Sequence, residues 1–333
     1  MSRVVVVGVS SLYITVPVER FPVPYEPTCR PAWTHVGVGG VGAHVARVLR
    51  ALDEEVDLCT VVGDDSAGAA IRRELCRHGL DGPGVVTGPG SSLGVVLVDE
   101  SGRRAGRPCL AAVDAVTYPA PTFADTVAGA DLAVVTNTVF ARELLPIAAR
   151  LRVPVAVDVH LIGDLEDPYD RPWLQVADVL FCSHEALPCP PAEWIRRVFS
   201  RYPGCSIVAV GCGPRGCVVG TRDGALLRAA AVAPRGVVNT TGAGDALFAS
   251  FLHGWLAGGN PVQALAQAVV YAGWKIGDRS PVEAQLSSAE LGGLLTRHRV
   301  RITAGRWDRG AAPGPAHPGS ARPHNGPPAV TGN

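Results

Sequence analysis

Short runs of valine, leucine and isoleucine alternate with amphipathic stretches along most of this chain, and this alternation strongly limits its possible folds. The apolar runs occupy residues 3–9, 56–63, 131–137, 153–159, 177–183 and 205–211. The stretches with helical spacing of apolar residues are 43–52, 66–79, 142–151 and 191–202. Continuous apolar strands separated by helices are typical of a parallel sheet covered on both faces. The sequence therefore predicts an α/β fold, a three-layer sandwich with a mostly parallel central sheet.

Two regions interrupt this alternation and carry strand-like patterns with turn residues. They are residues 12–38 and 92–118, and the second contains a predicted hairpin turn at Asp99-Glu-Ser-Gly. They predict a small separate β-sheet, a lid or a dimer surface, inserted in one domain of residues 1–303. Residues 304–333 are rich in Gly, Pro and Ala and are predicted to be disordered.

Composition excludes several classes of protein. The 30 basic and 30 acidic residues balance, which argues against a nucleic-acid surface. Apolar runs are too short for a membrane span, and the first one is too short for a signal peptide. The nine cysteines include no CxxC pair, which favours buried thiols in a reducing cytoplasm over a zinc site. The protein is therefore expected to be cytoplasmic and to bind neither nucleic acid nor membrane.

The segment 237–260 contains one acidic residue, Asp245, between a Gly-Ala-Gly turn and an almost entirely apolar helix. Thr240 or Thr241 is predicted to cap this helix. The backbone of residues 242–244 would then present free N–H groups at the positive end of the helix dipole, which attracts anions. The carboxylate is either a partner of the dipole or a base that takes a proton from an alcohol beside a transferring phosphoryl group.

Three further patterns compete with this interpretation or extend it. Gly37, Gly39 and Gly42 match a dinucleotide-binding spacing, but they do not follow the first strand, which argues against a Rossmann oxidoreductase. The chain has no GxxxxGK[ST] motif, so a P-loop is excluded. Asp158 and His160 stand at the carboxyl end of a predicted strand. There they either reach a metal through water or are held by loop amides.

Six segments follow one another in an informative order. They are GVGGVGAHVARVLRAL (37–52), VVGDDSAG (61–68), GVVLVDESGRR (94–104), VAVGCGPRGCVV (208–219), NTTGAGDAL (239–247) and AVVYAGWKIG (268–277). In the same order, they resemble six parts of the PfkB, or ribokinase-like, carbohydrate kinases. These parts are the glycine motif with its helix, the turn that follows, the lid hairpin, the hairpin before the nucleotide, the DTxGAGD signature and the late helix beside the adenine. The resemblance covers about residues 3–295 and implies their fold.

The resemblance also implies an activity, a phosphotransferase with an alcohol group as acceptor. ATP, with Mg²⁺, would donate its γ-phosphate to a hydroxymethyl group of a sugar or nucleoside. The general base would be Asp245, and the anion hole would be the backbone of Gly242, Ala243 and Gly244. A homodimer joined through the lid is also suggested by the resemblance.

Other roles follow from the same resemblance, residue by residue. The residues placed beside the nucleotide are Gly213, Gly216, Thr241 and Gly277. Those placed against the acceptor are Gly39, Gly40, His44 and Tyr13. Glu185 would help to hold the metal. Arg103 or Arg104 either reaches the acceptor or is a solvated charge of the hairpin.

Several positions depart from the family's pattern. Asn239 replaces the first Asp of DTxGAGD, in a region that helps to hold a monovalent cation, which leaves potassium activation in doubt. Cys182 replaces the Asn of the Asn-x-x-Glu segment that ends at Glu185. Tyr13 and His44 replace a substrate-binding Asp and an Asn, although His44 could equally be an ordinary helix histidine. The changes predict an altered acceptor pocket or, as the alternative, a catalytically inactive ligand-binding or regulatory relative.

Overall fold

The computed structural model of the protein describes residues 1–279 and 285–307. The strands in these ranges are β1 (Arg3–Val7), β2 (Ser11–Pro17), β3 (His35–Gly39), β4 (Glu55–Gly63), β5 (Val85–Gly88), β6 (Ser92–Val98), β7 (Arg104–Cys109), β8 (Leu132–Thr136), β9 (Val155–Leu161), β10 (Val179–Ser183), β11 (Ile207–Gly211), β12 (Cys217–Thr221), β13 (Ala225–Ala229) and β14 (Ile302–Arg306). The α-helices are α1 (Val41–Ala51), α2 (Ser66–Arg77), α3 (Ala111–Asp114), α4 (Ala120–Val127), α5 (Leu145–Leu151), α6 (Arg171–Val176), α7 (Pro191–Arg201), α8 (Ala243–Gly258), α9 (Pro261–Lys275) and α10 (Ser288–Arg297).

The larger sheet runs in the order β14-β13-β12-β11-β10-β9-β8-β1-β4-β5. The strands from β11 to β5 are parallel to one another, and β12, β13 and β14 are added antiparallel at one edge. In β1, Val4 and Val6 face one buried core while Val5 and Val7 face the other. Burial on both faces explains why these strands are unbroken apolar runs. The predicted mostly parallel sheet is confirmed.

Helices cover the two faces of this sheet as separate layers. One core contains residues of α1, α2, α8, α9 and α10, and the other contains residues of α3, α4, α5, α6 and α7. Helix α8 is apolar nearly all round because it packs against both α1 and α9. Within the described ranges, none of the helices is long and apolar enough to cross a membrane.

The smaller sheet, which we call the lid, has four strands in the order β3-β2-β6-β7. Its outer pairs are antiparallel and its central pair, β2 and β6, is parallel. Both segments that interrupt the strand–helix alternation contribute to it. The second segment contributes only as far as Cys109, because residues 111–114 form α3. Since β2 begins a few residues after β1, the lid extends directly from the carboxyl end of β1.

The last strand corrects the boundary predicted for the tail. The sequence predicts disorder for residues 304–306, but they belong to β14, which pairs with β13. Trp307 donates its indole N–H to the carbonyl of Thr221 at 2.8 Å, and its ring lies 4.9 Å from that of Phe199. Backbone pairing and the packing of Trp307 help to hold this short strand, and composition does not reveal either contact. The rest of the predicted tail, 308–333, lies outside the described residues.

Candidate active site

Helix α8 begins beside the carboxyl ends of β9, β10 and β11 without a side-chain cap. Its N-cap is Gly242, whose left-handed backbone (φ 76°) turns the chain into the helix. Among the described residues, the N–H groups of Gly244 and Asp245 have no hydrogen-bond partner. Free N–H groups at the positive end of a 16-residue helix form a site that suits an anion.

The threonine cap predicted for this helix is wrong. Thr240 donates its hydroxyl to the carbonyl of Gly102 in the lid, at 2.8 Å. The hydroxyl of Thr241 is buried and has no partner among the residues that the structure describes. A left-handed glycine at the N-cap takes the position that a threonine would have needed. Because no hydroxyl satisfies the first N–H groups, the helix N-terminus stays open to a ligand.

Asn239 ties the loop before α8 to the segment that follows α9. Its Nδ2 donates to the carbonyl of Arg279 at 2.9 Å, and its Oδ1 accepts from the N–H of Thr241 at 2.9 Å. The side chain is buried. A carboxylate at this position would have no proton to give to the Arg279 carbonyl. The amide therefore matches this contact better than the family's usual Asp.

Asp245 extends from the first turn of α8 toward α1, where it meets His44. Its Oδ2 lies 2.9 Å from the Nδ1 of His44, although the two residues are 201 positions apart in the sequence. Only 14% of the Asp245 side chain and 7% of the His44 side chain are exposed. His44 therefore contacts the carboxylate that the sequence singles out, and its role toward the acceptor stays a prediction.

The surroundings of this pair favour a charged Asp245 and a neutral His44. Burial acts to raise the pKa of Asp245, but the hydrogen bond from His44 and the charges of His160 and Arg104 hold that pKa below its usual value. Burial lowers the pKa of His44, and the charge of Lys275 lowers it further against the pull of Asp245. Near neutral pH the pair is thus a carboxylate and a neutral imidazole.

Lys275 is a residue of this site that the sequence analysis missed. It lies buried at the end of α9, and burial lowers its pKa to about 8. It is the single lysine among 30 basic residues, which was an available signal. Its positive charge interacts with both Asp245 and His44, so a buried cation lies near the site.

A second carboxylate and an imidazole stand across the site at the end of β9. A carboxylate oxygen of Asp158, another of Asp245 and a ring nitrogen of His160 lie within 4.8 Å of one another. Burial raises the pKa of Asp158, whose Oδ1 accepts from the backbone N–H of His160 at 2.9 Å. Such ligands could hold a divalent cation. Glu185, exposed in the turn 184–186, is not in this group, and its metal role stays a prediction.

On the lid side, glycines make room for the ring of Tyr13. Tyr13 on β2 is paired with Gly37 on β3 and with Gly94 on β6. A Cβ on Gly94 would stand 2.1 Å from Cε1 of Tyr13. A Cβ on Gly39 would stand 3.1 Å from Cδ2 of Tyr13 and 3.2 Å from Nε2 of His44. The structure thus brings Tyr13, Gly39 and His44 together next to Asp245, and it adds Gly94.

Gly40 and Gly42 serve the close packing of α1 against the end of β1. Gly40 has φ 90°, and a Cβ there would stand 2.3 Å from the carbonyl oxygen of Val9. A Cβ on Gly42 would stand 2.5 Å from the backbone of Gly8. Only glycine permits backbones to approach this closely. Packing accounts for these two glycines, and an acceptor role for Gly40 stays a prediction.

Two of the three glycines expected beside the nucleotide lie in the turn after β11, and the third, Gly277, follows α9. Gly213 (φ 56°) and Gly216 (φ 91°) flank the short turn between β11 and β12. A Cβ on Gly216 would stand 1.9 Å from the carbonyl oxygen of Ala229, and one on Gly277 would stand 2.5 Å from Cβ of Arg235. Each glycine is required by its backbone or its packing. Their contact with a nucleotide stays a prediction, as does that of Thr241.

The lid hairpin reaches the loop before α8. The Gly102 carbonyl at its tip accepts from both the N–H and the hydroxyl of Thr240. Arg103 pairs with Asp99 at 2.7 Å and is largely exposed, as a solvated hairpin charge would be. The charge of Arg104 instead acts on Asp245. The lid therefore contacts the segment that leads into α8.

The doubly covered, mostly parallel sheet with a four-stranded lid and an uncapped helix N-terminus beside it defines a ribokinase-like α/β protein. The sequence model of the pfkB family carbohydrate kinases matches residues 1–287. The chain belongs to this family, which confirms the resemblance stated from its motifs.

Two relatives and one solved structure show how this chain compares. It is 30% identical over 257 residues to the acarbose 7(IV)-phosphotransferase of Actinoplanes sp., covering 77% of this chain and 85% of that protein. It is 31% identical over 237 residues to the ATP-dependent ribose-1-phosphate kinase of Halopiger xanaduensis, covering 69% and 77%. The structure of a microbiome-derived acarbose kinase matches with a TM-score of 0.78 and 24% identity, covering 89% of this chain and 99% of that one.

Proposed function

We propose that this protein transfers the γ-phosphate of ATP to a hydroxymethyl group of a sugar or nucleoside. The observation that carries the proposal is the position of Asp245. Its carboxylate, with a lowered pKa, stands in the first turn of a helix whose N–H groups at Gly244 and Asp245 are free. A base beside an anion site is what in-line phosphoryl transfer to an alcohol needs.

The two parts of the site have different tasks in this reaction. Asp245 orients the acceptor hydroxyl and, because its pKa is low, accepts the proton late, as the bond to phosphorus forms. The N–H groups at the start of α8 donate to oxygens of the transferring phosphoryl group, on which charge builds in the transition state. Their direction is fixed by the helix before the substrate binds.

Residues that fit a magnesium ion are present at the end of β9. The buried carboxylate of Asp158 supplies the oxygen ligands that Mg²⁺ prefers, with His160 beside it. Asp245 is close enough to share a cation, but its task as base favours Asp158 as the ligand. A bound Mg²⁺ neutralises charge on the phosphates. Glu185 remains a second candidate.

The acceptor side favours a carbohydrate. The acarbose and ribose-1-phosphate kinases to which the chain is similar are both named for such acceptors. The Tyr13 ring, laid over glycines, offers an apolar face on which the carbon side of a sugar ring can pack. Gly39, Gly40 and His44 would complete this side of the site.

The test is ADP release from ATP and Mg²⁺ in the presence of D-ribose, ribose 1-phosphate, D-fructose, maltotriose, acarbose or adenosine. The wild type should release ADP with at least one acceptor, and Asp245→Asn should lower kcat by at least ~10²-fold, the usual scale of general-base loss. Asp125→Asn, an exposed helix position on α4, is the matched control and should leave turnover unchanged. Retained activity in Asp245→Asn would contradict the proposal. ATP binding without acceptor-dependent ADP release would support the inactive relative.

The lid also supports a homodimer. Val36, Ile14 and Val95 are paired across three adjacent strands, and their side chains are 57%, 44% and 38% exposed on one face. An apolar row of this kind marks a contact surface, and a second copy would cover it. In sedimentation, the wild type should be a dimer, Ile14→Asp a monomer, and Val139→Asp, an exposed position outside the lid, a dimer. A wild type that sediments only as monomer refutes it.

A further inference from the structure

We propose that Asp245 holds His44 as its Nδ1–H tautomer, so that Nε2 of His44 accepts a hydrogen bond from a second hydroxyl of the acceptor. This inference rests on the proposed function, because it needs an acceptor bound in the cleft. It makes His44 a specificity-determining residue and narrows the acceptor to a polyhydroxylated molecule.

The first step is the tautomer. The Nδ1 of His44 lies 2.9 Å from Oδ2 of Asp245. An ionised carboxylate can only accept, so the proton of this bond is on Nδ1. Burial lowers the pKa of the imidazole most, and the charges of Lys275 and Arg47 lower it further. A neutral ring with its proton on Nδ1 carries a lone pair on Nε2.

The second step is the empty hydrogen-bond position of Nε2. This atom is buried and has no partner among the described residues. Buried polar atoms are nearly always hydrogen-bonded, so an orphan of this kind needs an explanation. Nε2 lies 3.2 Å from the point where a Cβ of Gly39 would stand, and Tyr13 Cδ2 lies 3.1 Å from the same point. Because residue 39 is a glycine, it places no side chain against Nε2, which is bordered by the Gly39 backbone and the Tyr13 ring.

The third step is the kind of group that fits. A lone pair requires a donor, and the ring carbons of Tyr13 beside it are not one. A hydroxyl of the acceptor supplies the donor, while a second acceptor hydroxyl points to Asp245. A carboxylate or phosphate in this place would offer no proton near neutral pH and would add a negative charge beside that of Asp245. A deoxy analogue would leave Nε2 without a partner.

The tautomer is tested by ¹⁵N NMR of histidine-labelled protein at pH 7, with the His44 signals assigned from their loss in His44→Asn. We expect a protonated Nδ1 and a bare Nε2. The matched control is His253, whose Nδ1 lies 2.7 Å from Oε1 of Glu54 away from the lid. In Asp245→Asn, the His44 signals should shift while those of His253 stay. A proton on Nε2 of His44 in the wild type, alone or as an imidazolium, overturns the proposal, whatever the enzyme's activity.

The acceptor contact is tested with two substitutions that divide the functions of the ring. In His44→Asn, the amide can still donate to Asp245, but no atom reaches the Nε2 position. In His44→Gln, the amide reaches that position and the contact with Asp245 is lost. His44→Asn should mainly raise the KM of the acceptor, and His44→Gln should mainly lower kcat. His253→Asn should match the wild type in both.

The decisive comparison uses an acceptor that turns over in the panel and its monodeoxy analogues. One deoxygenation should lower kcat/KM of the wild type roughly 5- to 100-fold, the scale for an unpaired buried group, and that of His44→Asn less than about twofold. Equal penalties in both enzymes overturn the proposal. If instead the kinase proposal fails, the wild type releases no acceptor-dependent ADP. The NMR measurement of the tautomer would then still show whether Asp245 holds the proton of His44 on Nδ1.

Discussion

Replacing Gly94 by alanine tests whether the ring of Tyr13 forms one wall of the acceptor site. Gly94 lies on β6 directly opposite Tyr13 on β2. The added methyl carbon would stand 2.1 Å from Cε1 and 2.5 Å from Cδ1 of the ring, whereas ordinary contacts begin at 3.4 Å. The ring edge must therefore move by 1.3 Å (3.4 minus 2.1), or Tyr13 must change rotamer.

The size of the effect follows from this displacement. Overpacking of one methyl typically costs about 1–3 kcal/mol. Tyr13 is only partly buried, so we expect its ring to swing toward the cleft and the lid sheet to stay intact. If that cost falls on acceptor binding, kcat/KM for the acceptor drops ~10- to 100-fold, since each factor of ten is about 1.4 kcal/mol. The KM for ATP should not change. Steady-state kinetics at saturating ATP, with thermal melting in parallel, measure both.

The lid offers a matched control for this substitution. A Cβ on Gly106, on the adjacent strand β7, would meet nothing within 4 Å. Gly106→Ala should keep kcat/KM within about twofold and leave stability unchanged or slightly higher. In a Tyr13→Ala background, Gly94→Ala should have no further effect, because its clash partner is gone. If Gly94→Ala has the kinetics of Gly106→Ala, our placement of Tyr13 in the acceptor site is wrong.

Two further substitutions test buried groups near the site. Asn239→Asp sets a carboxylate oxygen against the Arg279 carbonyl, so we expect the variant to melt at a lower temperature than the wild type. Replacing choline chloride by KCl should raise the melting temperature of the variant and leave that of the wild type unchanged. The same response to both salts in the two proteins would contradict this. Lys275→Met removes an ammonium whose pKa burial lowers from 10.5 to about 8. Between these values the unfolded wild type binds a proton that the folded protein has lost. Its free energy of unfolding should therefore rise with pH relative to Lys275→Met, by up to about 3 kcal/mol. Urea denaturation between pH 7.5 and 10 measures this difference in the free energy of unfolding. A difference that does not change with pH would contradict the lowered pKa of Lys275.

Much of the fold was open to sequence analysis because local chemistry decides it. Val4–Val7 form a strand covered on both faces, and a strand of this kind can only be an unbroken apolar run. The glycines before Asp245 and the apolar helix after it indicate an anion site from the backbone alone. The boundary of the tail was misplaced, because β14 depends on its pairing with β13 and on the packing of Trp307.

The site was harder to predict from the sequence, because its contacts join distant segments. Whether His44 packs or binds could not be decided from its own helix, and its partner Asp245 lies 201 positions away. Gly94 is an ordinary strand glycine by its sequence, and only the pairing of β2 with β6 brings the Tyr13 ring against it. The place of Lys275 in the site depends on its burial at the end of α9, which its local sequence does not indicate.

The sequence by itself determined the α/β fold, the family and the segment that begins α8, because periodicity, glycine conformations and helix dipoles act over a few residues. Only the tertiary structure decided which side chains face one another across the cleft and which of them are charged. Those properties depend on burial and on the distance between groups of α1, α8, α9 and the lid. In a medium of low polarity, such distances set the pKa values of Asp245 and His44, and they leave Nε2 of His44 without a partner.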